Sequence, residues 1–133
     1  MLLKWIRYLS LTLLGLAVLL SLTVILIGRW IDTSMRPKSH FDNYTEAQAS
    51  GIMDRGWIPH YIPKSATDIN EQHDLDTNWV KMTFNYALDD LADLRSACQS
   101  EVAIANGTEF LCEGHIMIRL FNDGTARLEK PVK

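Results

Sequence analysis

The sequence predicts a single N-terminal transmembrane helix followed by a small α+β domain, in which an antiparallel sheet of about four strands packs with two helices. Three observations carry this expectation. Residues 8–28 contain no charged side chain and are bounded by Arg7 and Arg29. Two later stretches, 78–86 and 116–120, alternate apolar and polar side chains as half-buried strands do. Two others, 44–55 and 89–99, carry helical start signals or helical apolar spacing.

The apolar run comes first. At ~1.5 Å of rise per residue its length reaches roughly 31 Å, against a bilayer hydrocarbon core of about 30 Å. Its only polar side chains are Ser10, Thr12, Ser21 and Thr23, whose hydroxyls a helix absorbs on its own carbonyls. Trp5 and Tyr8 at one end and Trp30 at the other have rings suited to the two interfaces. No charge lies inside the span, which argues against an ion or proton pathway through this helix. The rival reading is a cleavable signal peptide, whose apolar region runs about 7 to 15 residues and ends at a small-x-small site. Here the run is longer, and Gly28, Arg29, Trp30 and Ile31 offer no such site. Ala17 and Ser21 form a small-xxx-small pair that lets helices approach, although facing lipid is the commoner use of such residues.

Lys4 and Arg7 flank one side and Arg29, Arg36 and Lys38 the other, so charge alone does not orient the span. A short tail before it and a large domain after it fit an N-in anchor. The expected organisation is therefore a cytoplasmic tail at 1–7, the membrane helix at 8–28, a linker at 29–42 and an extracytoplasmic domain at 43–133.

All 16 acidic residues, but only 10 of the 13 basic ones, lie from Asp32 onward, leaving the domain a formal charge of about −6. A nucleic-acid partner is not expected, because a phosphate backbone calls for a basic face that this chain lacks. The residues after the span suffice for one modest core. Cys98 and Cys112 are the two cysteines. In an extracytoplasmic setting an even pair reads as a disulfide; in a cytoplasmic one they would be buried free thiols. No metal site is expected, since they lack the paired spacing zinc prefers.

Along the domain, Asn43 and Glu46 form a capping-box pattern that starts a helix over 44–55, stopping at Gly56. Trp57 to Pro63 is an aromatic connector that Pro59 and Pro63 keep extended. Trp57, Tyr61 and Ile62 either brace the core or stand out as a partner-binding segment, and His60 reads as a solvated loop residue. Residues 65–73 read as a strand. In 78–86, Val80, Met82, Phe84 and Tyr86 share one face. Leu88, Leu91, Leu94 and Cys98 recur at helical spacing, giving a helix over 89–99. After an Asn106-Gly107 turn, 110–112 adds a short extended piece. Ile116, Ile118 and Leu120 then alternate into an Asn122-Asp123-Gly124 turn and a last strand over 125–130.

Two constellations bear on chemistry. Asp74-Leu75-Asp76-Thr77-Asn78 opens like a calcium loop, but Trp79 stands where the loop needs glycine and Asn85 where it needs a bidentate glutamate. An ordinary hydrogen-bonded turn is the expectation. His73, with Glu71 and Asp74 beside it, has the makings of a proton-transfer pair, yet no nucleophile accompanies it. No catalytic residue and no cofactor is assigned.

Gly56-Trp57-Ile58-Pro59, then Ile62-Pro63-Lys64-Ser65-Ala66-Thr67-Asp68-Ile69, then His73-Asp74-Leu75-Asp76-Thr77-Asn78 resembles a group of small, uncharacterised bacterial membrane-anchored or secreted proteins. These share a P-x-SATDI and HDLDTN signature before a strand, and the resemblance covers about 44–84. It implies a bacterial envelope protein and adds no catalytic residue; together with the apolar span, the expected location is single-pass in the inner (cytoplasmic) membrane.

The functional expectation is a non-enzymatic protein, held in the bilayer through 8–28, whose domain binds an envelope protein partner through Trp57, His60, Tyr61, Asp74 and Asp76. Rigid aromatics beside a polar turn supply the anchor and rim of a binding patch. The alternatives are an inhibitor or immunity protein against an envelope enzyme or toxin, and a divalent-cation or small-ligand sensor using Asp74 and Asp76.

Overall fold

A computed structural model of the chain describes residues 1–132, and the side chains of these other than Leu2 and Leu3. The chain divides into two units, Met1–Met35 and a second beginning at Arg36.

The first unit is one helix, α1 (Leu2–Met35). Over Lys4–Met35 it is long and apolar enough to cross a membrane, and its apolar window is not buried within the protein. Its hydroxyls are absorbed as expected: Ser10 donates to the Arg7 carbonyl at 2.9 Å and Ser21 to that of Ala17 at 2.8 Å. The helix continues past Gly28 into the segment expected as a tether. It ends just short of Pro37, whose ring disfavours helical backbone in the residue before it.

The second unit is built on one antiparallel sheet of seven strands, not four. In chain order the elements are β1 (Lys38–Asn43), α2 (Tyr44–Ala49), β2 (Thr67–His73), β3 (Val80–Asn85), α3 (Ala92–Ala97), β4 (Cys98–Ile104), β5 (Gly107–Cys112), β6 (Ile116–Phe121) and β7 (Thr125–Lys130). The strands lie side by side as β1-β2-β3-β7-β6-β5-β4. Two meanders, β1 to β3 and β4 to β7, thus join where β3 pairs β7 along its whole length, from Val80 with Lys130 to Asn85 with Thr125.

The additional strands are β1, β4 and a β5 longer than the expected 110–112. β1 and β4 escape the sequence pattern for one reason. In β1 Phe41 alone is buried, and in β4 no residue is, so neither segment shows the alternation that betrays a strand. The long pairing partners form them instead: β1 pairs β2 from Lys38 with Gln72 to Asn43 with Thr67, and β4 pairs β5 from Cys98 with Cys112 to Ile104 with Gly107.

The two helices of the domain are present but shorter than expected. Asn43 accepts the Glu46 amide at 3.0 Å and so caps α2 as read, while Glu46 reaches one residue further back than a capping box and accepts the Asp42 amide at 2.6 Å. It stops at Ala49, not 55. Ser50 donates back to Ala47, and Gly51 at φ +73 turns the chain left-handed. The second helix begins late because the Asp90 carboxylate is committed elsewhere, accepting the Ser65 amide at 2.7 Å, while Ser65 Oγ accepts that of Ala87. Leu88 stays largely exposed and Leu94 alone of that stripe is fully buried.

Alternate strand residues, including Ile69, Met82, Leu128, Ile118 and Phe110, point to one face, where Tyr44, Ala47, Ile52, Ile58, Ile62 and Leu94 cover them. Each such side chain fully withdrawn from water contributes about 1.5–3 kcal/mol. The opposite face is bare and carries Lys81, Thr83, Asn70 and Arg127 exposed to solvent.

Candidate functional site

The connector after α2 fixes the first group of expected site residues. Gly56, at φ +79, makes the reversal that a Cβ would strain, and the Trp57 amide donates to the Ile52 carbonyl. Ile58, Ile62 and Pro63 then bury themselves in the core. This carries the Trp57 ring onto the end of β2, where it stacks on the His73 imidazole with centroids 3.8 Å apart and planes 17° from parallel.

β2 supplies the floor. Its pleat sends Ile69, Glu71 and His73 to the covered face, so two ionisable groups enter the core two residues apart. His73 Nδ1 lies 2.6 Å from Glu71 Oε1. Both side chains are nearly sealed, at 8% and 0% exposed respectively. Glu71 Oε2 is buried without a hydrogen-bond partner. Burial pushes the Glu71 carboxyl above its ordinary range, partly opposed by the bond and charge of His73 and by the charge of Arg55. The proton-transfer pair read from the sequence is therefore assembled by the fold. Elsewhere in the domain, Ser65 Oγ accepts the Ala87 amide and Cys98 is in a disulfide.

One residue further on, the chain leaves the sheet in a turn organised by Asp74. Its Oδ1 accepts the amides of Asp76 and Thr77, each at 3.0 Å. Its Oδ2 accepts Arg36 Nε at 2.9 Å. The backbone closes the same turn, Asp74 donating to the Trp79 carbonyl and Asn78 to that of Asp74. Arg36 and then the turn amides hold the Asp74 carboxyl down at about 2. Both oxygens of this carboxylate are thus engaged by the protein itself. The turn holds Leu75, 49% exposed, and Asp76 out in solvent.

The remaining expected residues are dispersed. Tyr61 is half-buried against the core, and burial, with the Glu113 charge adding, pushes its phenol up to about 12; its hydroxyl is buried without a partner. His60 is exposed, 3.4 Å from the Asp54 carboxylate, while its carbonyl accepts the Tyr44 hydroxyl at 2.9 Å. Trp57 and Tyr61 thus pack on the core, whereas His60 and Asp76 face water. Cys98 and Cys112 form a disulfide between register partners of β4 and β5.

Arg36 was legible only as a charge beside the apolar run. Nothing in its local sequence marks a partner 38 residues away, and only the pairing of β1 with β2 brings the two together.

Residues 36–85 match the family model of the YbbD head domain. This segment spans β1 to β3 with α2 and the connector, and so contains the whole Trp57, Glu71 and His73 cluster and both ends of the Arg36–Asp74 bond. Over that stretch the chain is similar to YbbD head domains; the second meander lies outside the match. No curated protein and no solved structure matches the chain.

Proposed function

We propose that this is a single-pass protein of a bacterial inner membrane, anchored through residues 8–28, whose extracytoplasmic domain binds another envelope protein and performs no catalysis. The observation that carries the reading is the Asp74 turn. An apolar side chain at a loop tip is ordinarily mobile, but Leu75 is held by a carboxylate with three donors and by two backbone bonds. Pre-organisation of this kind lowers the ordering cost of association. The apolar anchor has an acidic rim in Asp76, on a domain whose net charge is negative, so the partner it suits presents an apolar pocket edged with basic residues.

The long apolar helix supports the anchoring, and the head-domain match over 36–85 supports kinship with small envelope proteins. With both Asp74 oxygens already bonded, the protein-binding reading is favoured over cation sensing.

The test is a photo-crosslinking residue at position 75, and separately at 60, in the full chain in its own membrane. A discrete adduct with a second protein at 75, abolished by Asp76→Lys without loss of the domain's cooperative unfolding, is the expected result. Absence of any adduct at both positions would remove the protein-binding reading.

A further inference from the structure

The bare face of the sheet is hollowed over β1 to β3. Two shallow clefts there, of about 350 and 360 Å³, share Gln72 in their walls. The first runs between Lys38 and Lys81, which flank Gln72 in register, and past Thr83. The second is lined by Trp79, whose half-buried ring lies on this same face with Lys81 Nζ 5.9 Å from its centroid. From Trp79 to Thr83 extended backbone advances about 13 Å, so the clefts make one trough of that length. Its hydrogen-bonding capacity is unspent. Among the described residues the Gln72 amide, the Thr83 hydroxyl and the Trp79 indole N–H have no protein partner, and none of them is sealed from water. Its charges, in contrast, are matched: Arg36 with Asp74 at 2.9 Å, Lys81 with Glu129 at 4.0 Å, and His40 with Asp42 at 3.3 Å and Asp68 at 3.7 Å. Among the described residues, Lys38 alone of these cations has no carboxylate in that range.

We propose that this trough binds an uncharged oligosaccharide laid along β2 and β3, with one sugar ring stacked on Trp79 and hydroxyls of the neighbouring rings bonded by Gln72, Thr83 and Lys38. The chemistry selects the ligand by elimination. Both neighbours of β2 and of β3 are already paired, so no strand of another chain can add here and recognition falls to side chains. A phosphate or polycarboxylate chain calls for a surplus of cations, and the matched pairs leave a single lysine. The apolar anchor of a protein partner would find one ring among polar and charged neighbours instead of a desolvated pocket. A sugar ring suits what remains. Its C–H face covers a flat indole, and its hydroxyls both donate and accept, as the Gln72 amide and the Thr83 hydroxyl require. Lys81, exposed on the same face, gives up its place over the indole when a ring occupies it. The trough also has the volume of small-molecule sites, which begin at about 300 Å³.

The full chain, held in nanodiscs, is applied to an array of neutral and acidic oligosaccharides, and any saccharide that retains it is then titrated against the chain in solution. The expected result is retention by a neutral oligosaccharide. Trp79→Ala and Gln72→Ala should each weaken that binding at least tenfold. Because the Gln72 side chain bonds nothing in the protein, Gln72→Ala should keep the parent melting temperature, which separates loss of the site from loss of the fold. Retention by no neutral saccharide, retention by acidic ones alone, or an affinity indifferent to both substitutions would overturn the proposal.

Discussion

Trp57 lies flat on His73, their ring centroids 3.8 Å apart, which fastens the connector after α2 to the end of β2. The stack covers a buried imidazole, so the indole excludes water from His73 as well as adding contact area. Trp57→Ala should therefore destabilise the domain by about 2–3 kcal/mol, near the low end of large aromatic truncations because the ring is only half-buried. His60→Ala, an exposed change in the same connector, should cost less than about 0.5 kcal/mol. Urea unfolding of both variants measures the contrast, and equal stability would mean the stack holds nothing in place.

Glu71 should make the domain's stability fall as pH rises. Burial raises its folded carboxyl above the ordinary 4.5, so the folded state binds this proton more tightly than the unfolded one. The contribution is fully present below 4.5 and is lost as pH climbs through the higher folded value. Glu71→Gln cannot ionise, and its unfolding free energy should lack this decline. Parallel melting curves for the two proteins over the same pH series would contradict the assignment.

Asp74 has the opposite sign. Its carboxyl is held at about 2 in the fold against an ordinary 3.8, so its stabilisation is present above 3.8 and disappears as pH falls through 2. Asp74→Asn should lower the melting temperature at pH 7 and remove that acid-dependent loss. Arg36→Ala should reproduce part of the effect, because Arg36 is the largest single influence on this carboxyl. A melting temperature at pH 7 unchanged in both variants would show that the turn stands without the clamp.

The Cys98–Cys112 bond joins residues 14 apart. Closing a loop of this size restricts the unfolded chain by about 3 kcal/mol in the chain-entropy model. Because β4 buries no residue of its own, that loss should appear first there. Reduction is expected to speed amide hydrogen exchange in β4 while leaving β3 and β7, at the centre of the sheet, protected. Uniform acceleration across all strands would instead mean that the domain opens as a single unit.

How far the sequence speaks depends on what each residue buries. α1, β3, β6 and β7 were legible because their apolar side chains repeat with a helix or strand period, and the Asn43 and Glu46 cap was legible because its chemistry is local. β1 and β4 were not, since backbone pairing to a neighbour holds them and leaves almost no mark on side-chain pattern. The Glu71 and His73 pair could be read two residues apart on one strand. Its roof could not, because Trp57 reaches His73 only after Gly51 and Gly56 have turned the connector over the sheet. The clamp on Asp74 was half visible, its turn amides being local and its arginine remote.

Gly107 tests whether the second meander depends on close backbone approach. It opens β5 directly opposite β6, and a Cβ built there would collide with the Leu120 carbonyl oxygen, its nearest neighbours being backbone atoms of Leu120 and Phe121 with no flexible side chain to give way. The glycine is needed for space, as its φ is not left-handed. Gly107→Ala must therefore push β5 and β6 apart at the register pair of Gly107 with Phe121, and the neighbouring pair of Thr108 with Leu120 carries a core side chain with it. The expected cost is that of a strained backbone plus lost ladder bonds, about 2–4 kcal/mol. Gly124→Ala, strained by its φ of +82 but with its nearest backbone neighbour, the Tyr86 carbonyl oxygen, 3.3 Å from the added Cβ, should cost less. Thermal melts of the two variants order these effects, and a Gly107 variant as stable as the parent chain would show that the hairpin yields without loss.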